Sequence, residues 1–187
     1  MTHAGFRITK ITLLPKKFVS RLSRALARRR RHLMMKNLKG IIHVGANLGQ
    51  ERDYYAEHGL NVLWIEPIPW IFEKLKKVIS GYPNQQALSY LVLDKDGDLT
   101  TLHIASNEGA SSSVMDLALH QSLWPSVHFT KDIQIQSYKL DTIIEKERIN
   151  IACYDGIVLD TQGSELLVLT GAQHILTNMR MISIEVG

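Results

Sequence analysis

The residues best suited to chemistry are two acids and a glycine-spaced loop. Gly45 and Gly49 stand in Ile41-Ile42-His43-Val44-Gly45-Ala46-Asn47-Leu48-Gly49-Gln50, between an apolar run and a helical pattern. Glycines there let the backbone approach a ligand closely and aim the free N–H groups of a helix start at its polar part. The spacing is not the G-x-G-x-x-G of dinucleotide sites, because Ala46 and Leu48 interrupt it. Glu66 closes the next apolar run, Val62-Leu63-Trp64-Ile65-Glu66. An acid at that strand end faces the same crevice, solvated in the empty protein, and can accept bonds from both ribose hydroxyls of a nucleoside.

Proton transfer needs a carboxylate or imidazole near that crevice. Asp160 ends the run Tyr154 to Asp160 and is expected to face the site; the competing reading makes it a cap for a helix starting at Ser164. Gln162, Gly163 and Glu165 follow in the same turn, and Glu165 serves either chemistry or the positive start of that helix. Asn107, Ser111, Ser112 and Ser113 offer an amide- and hydroxyl-rich wall, although small polar residues also make ordinary loops. His120, with Trp124 and Pro125, is read as an acceptor lid carrying a base, or as packing. No His, Asp and Glu set has the spacing of a preformed metal site, and Cys153 has no neighbour that would activate it.

Those residues fall between elements that alternate in type. Short apolar runs at Ile41–Val44, Val62–Glu66, Leu88–Leu93, Tyr154–Asp160 and Met181–Val186 read as strands. Helical spacing connects them over Gln50–His58, Pro69–Ser80, Asp141–Arg148 and Ser164–Thr177, with Asp141 capping the third of these. Leu99–Ala105 follows the turn Asp94-Lys95-Asp96-Gly97 and is expected to close a hairpin with Leu88–Leu93; a further short strand covers Ile133 and Ile135. The expected class is α/β, a mostly parallel sheet with helices on both faces.

On these residues the chain resembles the FkbM-type methyltransferases, a branch of the class I S-adenosylmethionine-dependent enzymes. The resemblance rests on His43-Val44-Gly45-Ala46-Asn47-Leu48-Gly49-Gln50, Trp64-Ile65-Glu66-Pro67, Asp96-Gly97, Ser106-Asn107-Glu108-Gly109-Ala110-Ser111-Ser112-Ser113 and Leu140-Asp141-Thr142-Ile143-Ile144. The run from Leu159-Asp160-Thr161-Gln162-Gly163-Ser164-Glu165 to Gly171-Ala172 and the closing Ile184-Glu185-Val186 follow in the family's order. It implies a Rossmann-like sheet, S-adenosyl-L-methionine over the glycine loop, and methyl transfer to an oxygen of a sugar or other small hydroxylated metabolite. Cofactor contacts are expected at His43, Gly45, Asn47, Gly49, Glu66, Asn107, Ser112 and Gln162, and catalysis at Asp160, Glu165 and His120.

Two departures qualify the resemblance. Most of the family has Asp where this chain has His43, which holds the cofactor's ammonium only as a neutral acceptor and otherwise packs at the strand end. The family also usually continues past the fifth strand with a helix and an antiparallel strand pair, whereas this sequence stops at Gly187. The expectation is a sheet lacking that pair, either because the chain is a shortened product or fragment or because a partner, a homo-oligomer among the options, covers the edge.

Charge separates residues 1–39 from a domain at 40–187. Residues 1–40 hold twelve basic and no acidic side chains, leaving ten basic and eighteen acidic ones for the rest. The basic pI therefore belongs to the arm, and nucleic acid is not the expected partner of the domain. Pro15 and the spacing of Phe18, Val19, Leu22, Ala25, Leu26 and Leu33 around Arg28–Arg31 read as a basic helix: a surface arm first, an attachment to an anionic membrane second, a nucleic-acid contact third. The alternative function is thus a non-catalytic, truncated binding module brought to such a surface by the arm. Composition, at 45% apolar and 21% charged, excludes wholesale disorder and coiled coil. No apolar run reaches the roughly 18 residues of a membrane span, and a single cysteine makes the cytoplasm the expected compartment.

Overall fold

The computed structural model describes residues 35–107, 109–115 and 128–184. The chain divides into residues 1–37 and 38–187, and the fold below is that of the second unit. Residues 1–34 of the basic arm, the lid residues His120, Trp124 and Pro125, and Glu185 lie outside the described residues. In chain order the elements are β1 (Gly40–Val44), α1 (Arg52–Glu57), β2 (Asn61–Ile65), α2 (Pro69–Ile79), β3 (Gln85–Leu88), β4 (Leu91–Val92), β5 (Leu99–Ala105), β6 (Phe129–Tyr138), α3 (Leu140–Lys146), β7 (Gly156–Leu159), α4 (Glu165–Thr170), α5 (Gln173–Leu176) and β8 (Met181–Ile184).

Five strands form a wholly parallel sheet in the order β3-β2-β1-β7-β8. Parallel strands need both faces covered, and the period-2 alternation of β1 and β2 shows how that is met. Ile42, Val44, Leu63 and Ile65, with Ile157 and Leu159, face a core completed by Leu140, Ile143, Val168 and Ile175 from α3, α4 and α5. On the opposite face His43 stacks on Trp64, and both rings meet Tyr55 of α1. Helix α2 has no side-chain cap, only a proline in its first turn, and is held by burying Ile71, Leu75 and Ile79. Each such burial is worth about 1.5–3 kcal/mol, more than the ~1 kcal/mol of a missing cap. The sheet thus has helices on both faces, as the alternation of elements predicts.

A second, three-stranded sheet departs from the sequence reading. The run Leu88–Leu93 is not one strand: Leu88 ends β3, while β4 belongs to a sheet ordered β4-β6-β5. The hairpin expected around Asp94–Gly97 does not form, because β6 lies between the two arms, parallel to β4 and antiparallel to β5. Leu102 and Ile104 of β5 pack with Ile68 and Ile71, and Ile133 and Ile135 of β6 join them.

The expected helix Ser164–Thr177 is broken into α4 and α5 at Gly171. A Cβ on Gly171 would lie 2.1 Å from the Leu93 carbonyl oxygen, so the two backbones approach only because it is glycine. Asp141 does not cap its own helix. Its carboxylate accepts from the N–H groups of His174 and Ile175, 3.0 Å each, at the start of α5. Asp96 takes the expected role, accepting from the N–H of Lys139 (2.8 Å) and from the Thr142 hydroxyl (2.9 Å) at the start of α3.

Candidate functional site

The order β3-β2-β1-β7-β8 reverses direction between β1 and β7, and ligands of open α/β sheets bind beyond the strand ends at such a point. The loops after β1 and β7 meet there. Gly45 sits at φ +82°, and a Cβ on it would lie 1.9 Å from the Asp160 carbonyl oxygen. Only glycine allows both the left-handed backbone and that approach. Asn47 at φ +45° and Gln162 at φ +52° are two of the three non-glycine residues in that region among the described residues. Their clustering marks backbone held in place at one spot by its surroundings.

The crevice between these loops is lined by Val44, Gly45, Asn47, Glu66, Asp160, Thr161, Gln162 and Ser164 on the sheet side. Tyr90, Leu102 and the Gly109–Val114 segment close it from the small sheet. Of the residues read as functional, Gly45, Asn47, Glu66, Ser112, Asp160 and Gln162 are brought together here. A larger, more open groove lies elsewhere, between α3 and α5. It is a weaker candidate, since its Asp96 and Asp141 are engaged as helix caps.

Glu66 is not the solvated acid that its strand-end position suggests. It is 4% exposed; its Oε2 accepts from the Asn47 N–H at 2.8 Å and its Oε1 from the Ile68 N–H at 2.9 Å. Burial pushes its carboxyl up to about 7, against the pull of those two backbone bonds. A carboxylate has about four acceptor positions, so both oxygens retain capacity toward the crevice. Glu66 therefore fixes the glycine loop as well as lining the crevice.

Asp160 continues β7, its N–H bonded to the Val44 carbonyl at 3.0 Å. Its Oδ1 accepts from Gln162 Nε2 at 2.5 Å. Its carboxylate thus meets a crevice residue, while Ser164 occupies the N-cap position of α4. Glu165 turns back instead: its Oε1 accepts from the N–H of Thr161 (3.0 Å) and its two oxygens from that of Gly163 (3.1 Å each). The carboxylate read as a catalytic candidate is engaged in holding the loop after β7.

Three residues expected at the cofactor lie outside the crevice lining. His43 is buried away from the crevice lining, stacked on Trp64 with ring centroids 4.9 Å apart and its Nδ1 3.2 Å from the Tyr55 hydroxyl. The period of a strand is the signal: His43 shares a face with Ile41, opposite to Ile42 and Val44. Asn107 is outside the crevice lining, bonding Ser111 through both ends of its amide. Gly49 also turns from it, toward Leu75 and Trp64. Ser113, read from the sequence only as part of a polar wall, lines the crevice and donates its hydroxyl to the Gln162 carbonyl at 2.7 Å.

The polar groups of the lining are compatible with a ligand that carries vicinal hydroxyls. Glu66 offers acceptors to vicinal hydroxyls, and Thr161 Oγ1 is buried in the crevice wall with no hydrogen-bond partner among the described residues. No three His, Cys, Asp or Glu side chains converge as a metal-ligand set among the described residues, and no helix among them is long and apolar enough to cross a membrane. Searches of curated proteins and of solved structures returned no match. The family model for the methyltransferase FkbM domain matches residues 43–187, nearly all of the unit that builds the crevice.

Proposed function

Because the chain belongs to the FkbM methyltransferase family, we propose that its crevice binds S-adenosyl-L-methionine and that the protein methylates a hydroxyl of a sugar or other small metabolite in the cytoplasm. The observation that carries this reading is the placing of Glu66 and Asp160 on one crevice at the sheet's switch point. The cofactor, when bound, supplies an electrophilic methyl group. The loop from Gly45 to Asn47 would hold its polar end through backbone groups, and Glu66 would accept from its ribose hydroxyls.

Asp160 would orient the acceptor hydroxyl and remove its proton as the oxygen becomes a nucleophile. The fixed loops would set the line of approach. Glu165 and Gly45 act by holding the loops that carry these groups.

The test is transfer of a labelled methyl group to a panel of small hydroxylated acceptors, with Asp160→Asn as the variant. Loss of a general base costs ~10²–10⁴-fold in rate. Transfer by the variant within a few-fold of the parent would remove Asp160 from this role, and no transfer by the parent to any acceptor would count against the reading as a whole.

A further inference from the structure

Ser113 belongs to the loop that follows β5, not to the loop that carries Asp160, yet its side chain reaches across the crevice. It is anchored at both backbone ends: its N–H donates to the His103 carbonyl at 3.1 Å, and the His103 N–H donates to its carbonyl at 2.9 Å. Its hydroxyl is buried, accepting from the Met115 N–H at 2.9 Å and donating to the Gln162 carbonyl at 2.7 Å. The residue it holds is one that needs holding, because Gln162 has a left-handed backbone at φ +52°. The side chain of that residue in turn donates Nε2–H to Asp160 Oδ1 at 2.5 Å.

Each link has a consequence for the next. Fixing the Gln162 carbonyl fixes the peptide plane on which its side chain is carried. A donated N–H favours the charged form of a carboxylate and sets which of its oxygens is turned aside. Without the Ser113 hydroxyl, Gln162 would relax toward ordinary backbone angles and its amide would leave Asp160.

We propose that Ser113 is a positioning residue for the Asp160 carboxylate, acting through Gln162. This deepens, and rests on, the reading of Asp160 as the proton acceptor. Ser113 touches no reacting atom in this account; it sets the orientation and basicity of the group that does.

The experiment follows the Asp160 carboxyl carbon by NMR titration of the full chain in the absence of cofactor, for the parent, Gln162→Leu, Ser113→Ala and Ser113→Thr. Loss of one charge-assisted bond raises a carboxyl pKa by about one to two units. Gln162→Leu should show that full rise, Ser113→Ala a smaller rise in the same direction, and Ser113→Thr, which keeps the hydroxyl, a value near the parent's. The acid limb of the methyl-transfer pH profile should move with the titration. If Ser113→Ala fails to fold, Ser113→Cys, of similar shape and weaker as a donor, should show the same rise. An Asp160 pKa unmoved in a folded Ser113 variant would overturn the proposal and leave Ser113 as a loop staple. Because the titration needs no cofactor, it separates from the reading of function: a shifted pKa together with undiminished transfer by Asp160→Asn would keep the positioning and discard the base.

Discussion

Replacing Glu66 by Gln should flatten the dependence of stability on pH between 4.5 and just above 7. The folded carboxyl is pushed up from its ordinary 4.5 to about 7, chiefly by burial. With a unit of pKa equal to about 1.4 kcal/mol, the proton contributes on the order of 3 kcal/mol. The folded value lies above the unfolded one, so this contribution is complete below pH 4.5 and disappears as pH rises through 7. Above that point a buried carboxylate is compensated only by its bonds, of which Asn47 and Ile68 supply two. Urea denaturation across this range reads the difference. The parent should lose about 3 kcal/mol more than Glu66→Gln from one end to the other. The variant should be less stable at the acid end, because an amide cannot accept through its –NH₂ and meets one backbone donor with another. Parallel curves for the two proteins would refute the reasoning, since Glu66 would then titrate in the folded chain as it does in the unfolded one.

Gly45→Ala should destabilise the fold by about 1–3 kcal/mol through its left-handed backbone alone, with the clash against the Asp160 carbonyl adding to it; an unchanged urea midpoint would contradict the close approach of the two loops. Asp141→Ala should cost about 0.5–2 kcal/mol by uncapping α5, and Asp141→Asn should restore most of that midpoint. Glu165→Ala should lower stability by about 1 kcal/mol and leave the pH profile of methyl transfer where it was; loss of a pH limb would return Glu165 to acid-base chemistry.

The sequence was most legible where a signal is local. The glycines after β1 and the acid after β2 announce a crevice because turn geometry and strand ends are settled within a few residues. The hairpin failed because β6 inserts between β4 and β5 from some forty residues downstream, a pairing that no turn motif records. Asp141 has the right type for a cap but serves a helix that begins some thirty residues later, so only the packing of α3 against α5 identifies its target. Glu66 was assigned to the crevice from its strand end, yet its burial depends on the Asn47 loop folding back over it. His43 is a different case: alternation along β1 already places it with Ile41, away from Val44, and that signal was present in the sequence.

The most direct test of the central claim is a backbone amide NMR titration of the full chain with S-adenosylhomocysteine, the demethylated form of the proposed cofactor. Saturable shifts should concentrate on Gly45, Asn47, Glu66, Ile68, Asp160, Thr161, Gln162 and Ser164, which line the crevice, and should spare Lys139, Glu145 and Arg148, which line the larger groove. Shifts confined to that groove, or none at the highest attainable concentrations, would contradict the assignment of the crevice as the cofactor site.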